Sequence, residues 1–185
     1  MSTMPATHDD SGFSLIETII AMGILATGLL GLAGVFTLGM AHMATSSANL
    51  VAREKAREAV ESVHTARDTG ELLWARINNV GQGTGIFVTG AQPMKAAGND
   101  GLANTSDDGA VESVRAPGHD GLLNTADDVL TPLTNYTREV VITPLFRDGT
   151  TTVNPNLRQV TVTVRYKVGD WWRSYTLTTY VSSYS

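Results

Sequence analysis

Eight oxygen-bearing side chains in the middle of the chain are spaced as metal ligands often are: Asp100, Asn104, Asp107 and Asp108, then Asp120, Asn124, Asp127 and Asp128. They lie in two copies of one motif, GNDGLANTSDDG at 98–109 and GHDGLLNTADDV at 118–129. The copies share Gly-x-Asp-Gly-Leu-x-Asn-Thr-x-Asp-Asp. Calcium takes six to eight oxygen ligands from carboxylates, amides and carbonyls, so each copy is a candidate calcium loop. Gly101 and Gly121 permit the sharp turn such a loop needs. The motif is not an EF-hand, which requires alternating acids and a final Glu. The competing reading is a pair of Asx-rich turns, in which the same side chains bond their own backbone. Acid–base catalysis is not expected, because no His or Lys stands near these acids in a matching arrangement.

A seventh carboxylate has a different setting. Between Phe13 and Ala41 the only ionisable side chain is Glu17. As a helix this run would be about 43 Å long at 1.5 Å per residue, and a bilayer core is about 30 Å thick. Three readings compete. A secretory signal peptide has a basic start and a shorter apolar core, and residues 1–12 hold no Lys or Arg. A plain membrane anchor fits the length but leaves a costly charge at the fifth position unexplained. The third takes Gly12-Phe13 as a cut site and Glu17 as a recognition charge. Gly12 offers a peptidase a bond with no side chain in the way. The freed Phe13 would carry a positive α-amine, with Glu17 one helical turn on.

The string Gly12-Phe13-Ser14-Leu15-Ile16-Glu17 resembles the prepilin cleavage motif of type IV pilins and type II secretion pseudopilins. The resemblance implies that a prepilin peptidase cuts after Gly12 and methylates the amine of Phe13. It further implies that Glu17 meets the N-terminal amine of a neighbouring subunit during assembly. The leader departs from the usual short basic form, with Asp9 and Asp10. The nearest basic residues, Arg53, Lys55 and Arg57, lie beyond the apolar run. Charge bias alone would thus turn the N-terminus outward, whereas the resemblance implies a cytoplasmic leader. Gly28, Gly31 and Gly34 stand where major pilins often carry a proline. They mark either a stretch that can unwind or a face for close helix packing.

The elements that must position these residues follow from periodicity. Leu50, Ala52, Ala56, Ala59, Val60, Val63 and Ala66 recur at three- and four-residue steps, so an amphipathic helix continues the apolar one. Its solvated face carries Arg53, Glu54, Lys55, Arg57 and Glu58. No Pro interrupts residues 13–74, so one helix of fifty to sixty residues is expected, with Gly70 ending it. Residues 75–135 read as Gly-punctuated loops with at most a short strand at Ile86–Val88. From Arg158 to Val168 the pattern has period two, with Val160, Val162, Val164, Tyr166 and Val168 on one face. Gly169-Asp170 predicts a two-residue turn pairing Val168 with Trp171 and Val164 with Tyr175. Tyr136–Thr143 is an earlier strand, expected to end at Pro144. Trp171, Trp172 and Tyr180 read first as caps on a small core and otherwise as contact residues.

The expected fold is α+β: a long N-terminal helix packed on a small antiparallel sheet, which is also the layout the pilin resemblance implies. The expected segments are a leader at 1–12, a membrane or filament-core helix at 13–43, its amphipathic half at 44–74, the repeat region at 75–135 and the sheet at 136–185. Within the family, the stripe is similar to V-type minor pilins (type IV pilus modification proteins) and to I-type minor pseudopilins. The implied function is structural: a minor pilus subunit, or else a minor pseudopilin. Its partners would be other such subunits, the prepilin peptidase, the inner-membrane assembly machinery and the lipid bilayer. Its place would be a bacterial inner membrane, single-pass with the head outside the cytoplasm, and then the filament. A reading of another class is an anchored, calcium-binding protein with an uncut N-terminus.

Composition narrows the rest. A net charge of −5 gives no basic footprint for nucleic acid. The absence of cysteine removes disulfides, thiolate metal sites and cysteine nucleophiles. The four histidines, at 8, 42, 64 and 119, share no metal or triad spacing, and no enzymatic activity is expected.

Overall fold

The computed structural model describes residue 12 and residues 14–184. The chain divides into two compact units, one up to Ala44 and one from Thr45 onward. Helix α1, Leu15–Asp68, is 54 residues long and contributes to both.

In the first unit α1 is the only secondary structure among the described residues. Its large side chains face outward all round: Ile16, Ile20, Leu25, Leu29, Val35 and Phe36 are each more than half exposed. Its threonines hide their polarity locally. The Thr27 hydroxyl donates to the Ile24 carbonyl at 2.9 Å, and the Thr37 hydroxyl to the Ala33 carbonyl at 2.9 Å. A helix with satisfied backbone and self-satisfied hydroxyls is what a lipid-like surrounding tolerates. This helix is long and apolar enough to cross a membrane.

In the second unit the end of α1 is one-sided. Ala52, Ala56, Ala59, Val60, Val63 and Ala66 are buried in a single core cluster. Leu50, grouped with them by spacing, is exposed instead. It lies two residues from Ala52, about 200° round a helix of 3.6 residues per turn, and so faces away. The helix ends by reversal at Gly70, whose φ of +79° is costly for any residue with a Cβ. The Leu72 N–H then returns to the Ala66 carbonyl at 2.8 Å.

The core's other wall is a four-stranded antiparallel sheet in the order β1-β4-β5-β6. The strands are β1 (Gln92–Pro93), β4 (Tyr136–Phe146), β5 (Val153–Val168) and β6 (Trp171–Ser182). The inward positions are the alternating ones: Val140 and Ile142 of β4, Val160, Val162, Val164 and Tyr166 of β5. The tight turn pairs Val168 with Trp171 and Val164 with Tyr175, the expected register. Outward threonines pair across strands, Thr163 with Thr176 at 3.2 Å. Polar ties hold the helix to the sheet: Asn49 donates to the Tyr166 hydroxyl at 2.8 Å, and His64 bonds Thr179 at 3.1 Å.

Three expectations need correction. β4 does not stop at Pro144 but runs to Phe146, with a register shift between the two. Proline lacks the ladder N–H, and the shift accommodates that loss. The repeat region is not all loop. It supplies β1 and a separate two-stranded sheet, β2 (Ser113–Ala116) with β3 (Val129–Pro132). Ile86–Val88 forms no named strand; Phe87 makes one isolated bridge with Asn79. Finally, Trp171, Trp172 and Tyr180 do not cap the core, being 79%, 60% and 57% exposed.

Burial sorts the aromatics energetically. Phe87→Ala, at a fully buried side chain, is expected to destabilise the fold by about 3–5 kcal/mol. Trp172→Ala should stay within about 0.5 kcal/mol. Denaturant unfolding of both variants checks this.

Candidate functional site

Two places carry the residues singled out by type and spacing. The first is the entry to α1. Gly12 is exposed, and an added Cβ there would meet nothing within 4 Å. Phe13 lies outside the described residues. Glu17 sits in the first turn of α1, where the unpaired N–H groups and the helix dipole favour a carboxylate. Its own N–H bonds the Ser14 carbonyl at 3.0 Å. Glu17 is exposed, and its carboxylate has no partner among the described residues. Beyond it, Gly23, Gly28, Gly31, Gly34 and Gly39 would each accept a Cβ without meeting any atom. Among the described residues nothing therefore requires glycine at those positions.

The second place is the pair of repeats, which fold as two copies of one loop. In loop 1 (98–109), the Asp100 N–H donates to Asp107 at 3.2 Å and the Leu102 N–H to Asp100 at 2.8 Å. In loop 2 (118–129), the same bonds run from Asp120 to Asp127 at 3.1 Å and from Leu122 to Asp120 at 2.8 Å. The Asn104 N–H reaches Asp108 at 3.0 Å, and the Asn124 N–H reaches Asp128 at 2.7 Å. In each loop a threonine hydroxyl, of Thr105 or Thr125, donates to Asp107 or Asp127 at 2.7 Å. The asparagines share a left-handed backbone, with φ of +64° at Asn104 and +68° at Asn124, which Asn tolerates better than most residues. A Cβ on Gly98 would come within 2.4 Å of Asp107, and one on Gly118 within 2.2 Å of Asp127. The repeated glycine therefore lets the closing aspartate reach the loop's start.

These bonds set the charge of the closing acids. The Thr105 hydroxyl, and after it backbone N–H groups, hold Asp107 below the usual carboxylate range. The Thr125 hydroxyl and the Asp120 N–H do the same for Asp127. A carboxylate with a depressed folded pKa supports its loop above the unfolded value, and that support is lost as pH falls through the folded one. Both loops are thus expected to loosen together only below the usual carboxylate range, seen as a joint shift of the Asp100 and Asp120 amide signals.

The loops differ in what lies beneath them. Leu102, Ala103, Asn104 and Thr105 are buried. The Asn104 amide donates to the Arg138 carbonyl at 2.9 Å and accepts from the Arg138 Nε at 2.9 Å. Arg138, on β4, is wholly buried, and its Nη2 donates to the Lys95 carbonyl at 3.0 Å. Burial pulls its pKa down, while Glu112, Asp108 and Glu58 push it back up. The acids extend to the helix, where Lys55 reaches Glu112 at 2.5 Å and Glu58 at 2.7 Å. Burial works to lower the Lys55 pKa, but those two carboxylates outweigh it and raise it. Loop 2 has no such floor: Leu122, Leu123 and Asn124 are exposed. Asp128 meets Arg115 at 3.2 Å.

The eight predicted ligands are thus divided between two loops, four to each, and bond mainly backbone N–H and threonine hydroxyls. Asn104 is turned away toward Arg138. Among the described residues no three His, Cys, Asp or Glu side chains are grouped to hold a metal ion. Sequence reasoning missed Arg138 and the two threonines. Arg138 was readable, since it shares its inward parity on β4 with Val140 and Ile142.

The prokaryotic N-terminal methylation motif matches residues 7–33, and it is typical of type IV pilins and pseudopilins. No match to the chain was found among curated proteins or among solved structures.

Asn104→Ala takes the acceptor from the buried Arg138 Nε and should cost about 1.5–3 kcal/mol. Asn124→Ala, at the matching exposed position, should cost under about 0.5 kcal/mol. Thermal melting of the two variants side by side checks the contrast.

Proposed function

We propose that this chain, which carries the methylation motif typical of type IV pilins and pseudopilins, is a minor structural subunit of a type IV pilus. The observation that supports this is the motif at the mouth of an apolar helix that no other part of the described chain covers. A prepilin peptidase would cut between Gly12 and Phe13 and methylate the new amine. The subunit would wait in the inner membrane with its head outside the cytoplasm. Assembly machinery would then transfer the helix from lipid to a bundle of neighbouring helices.

Glu17 has a specific task in this scheme. A lone carboxylate in a lipid or filament core is very costly, and pairing with the α-amine of a neighbour's Phe13 offsets most of that cost. The pair forms in only one axial arrangement, so it sets the stagger between subunits. Gly28, Gly31 and Gly34, unconstrained inside this chain, suit close helix approach in the bundle. The reaction at Gly12-Phe13 belongs to the peptidase. The chain itself supplies substrate and then scaffold.

Removing one partner of a buried ion pair costs about 3–5 kcal/mol, roughly a hundredfold or more in an equilibrium. Glu17→Val should therefore leave the chain cut and membrane-bound but deplete it strongly from sheared fibres. Quantitative immunoblotting of membrane and fibre fractions tests this. Equal incorporation of the variant and the unaltered chain would overturn the role of Glu17. Loss of protein export with intact fibres would move the chain to the type II secretion system.

A further inference from the structure

Two tryptophans stand exposed at the β5–β6 turn, Trp171 at 79% and Trp172 at 60%. They are neighbours on a strand, so their side chains point to opposite faces of the sheet. Trp171 shares its face with Val168, and Trp172 shares its face with Lys167, their partners in register. A flat protein surface laid on either face would cover one indole and leave the other in water. A lipid headgroup layer surrounds whatever enters it and covers both. It also suits an indole, whose body is apolar and whose N–H is polar.

The turn lies at the end of the second unit where α1 enters it. Contacts between α1 and the sheet step in order toward that end: His64 with Thr179 at 3.1 Å, Arg53 over the Tyr175 ring at 5.4 Å, Asn49 with Tyr166 at 2.8 Å. Tyr166 pairs with Arg173, and the hairpin runs on past this pair to its turn at Gly169. Three residues of strand reach about 10 Å. Asn49 follows Ala41, the end of the apolar run, by eight residues, about 12 Å of helix. The run itself, about 43 Å as a helix, matches the roughly 40–45 Å of a bilayer with its headgroups. Tether and hairpin thus have similar lengths, and the turn can meet the headgroup layer with no stretching of the chain. The charges fit as well. Lys167 and Arg173 are exposed and free to meet lipid phosphates, and the turn's one acid, Asp170, is matched by Lys167 at 3.8 Å.

We propose that the β5–β6 turn dips into the lipid headgroup layer of the membrane that α1 spans, with Trp171 and Trp172 as paired anchors. This rests on the membrane-anchored stage of the proposed function, and on neither the cut at Gly12 nor assembly. It gives the waiting subunit a second hold on the bilayer, which extraction into a filament has to release.

The test uses the full-length chain reconstituted into phosphatidylcholine vesicles containing phosphatidylglycerol. Tryptophan emission is read with lipids spin-labelled either at the headgroup or at the acyl-chain end. Trp171→Phe, Trp172→Phe and the double variant separate the two residues from Trp74, and thermal melting of the double variant is the folding control. In both single variants the headgroup label should quench about twofold more than the chain-end label, as an interfacial position requires. The double variant, which keeps only Trp74, should lose that quenching. Quenching of one residue only, or of neither, in a chain that still floats with the vesicles would overturn the inference and leave the anchored stage standing. Emission that follows the number of chains per vesicle and ignores the label would assign the turn to a second copy and overturn it too. A chain that does not float with the vesicles would sink the anchored stage of the proposed function, and this inference with it.

Discussion

The first half of α1 is apolar on every side, and the described chain offers nothing to cover it. Burying apolar surface contributes about 25 cal/mol per Å², so each large side chain left in water forfeits on the order of 1.5–3 kcal/mol. Over a dozen or more such residues the penalty would exceed the whole stability of an ordinary domain, about 5–15 kcal/mol. The surrounding must therefore be lipid or other helices. That constraint explains the internally bonded threonines, the unhindered glycines and the isolation of Glu17 as the single charge. In the proposed assembly the partner of that carboxylate is the freed N-terminal amine of a neighbouring chain.

The second half of the helix obeys the opposite rule. Small residues on one stripe let its backbone approach a sheet whose inward positions are mostly valine. The core is thin, and it is completed by loop residues such as Leu72, Phe87 and Met94. The chain holds no cysteine, so no disulfide contributes to that packing. Its most costly feature is Arg138, a buried cation held by one asparagine, one carbonyl and nearby carboxylates. That arrangement anchors the first repeat to the sheet.

Much of this was legible in the residues. The helix, its exit at Gly70, the β5–β6 register and the alternating faces follow from periods of 3.6 and 2. Local turn chemistry made the Asx reading of the repeats available beside the metal one, and the bonds from Leu102 and Leu122 to their aspartates follow it. What could not be read depends on three-dimensional choice. β2 and β3 bury little, so their strands lack the alternation that reveals a sheet. Leu50 has helical spacing of a kind, but only the position of the sheet decides which side is inward. Above all, the shared motif gave no hint that one repeat is docked and the other free. That difference arises from Arg138, far along the chain.

The central claim is that the apolar helix begins, in the mature protein, at a freed and methylated Phe13. The most direct measurement is the intact mass and N-terminal residue of the protein from its native membrane or fibre fraction. The account predicts a chain lacking residues 1–12 and starting with N-methylated phenylalanine. A chain that still starts at Met1 would contradict it, and would leave Glu17 as an unpaired charge on an ordinary anchor.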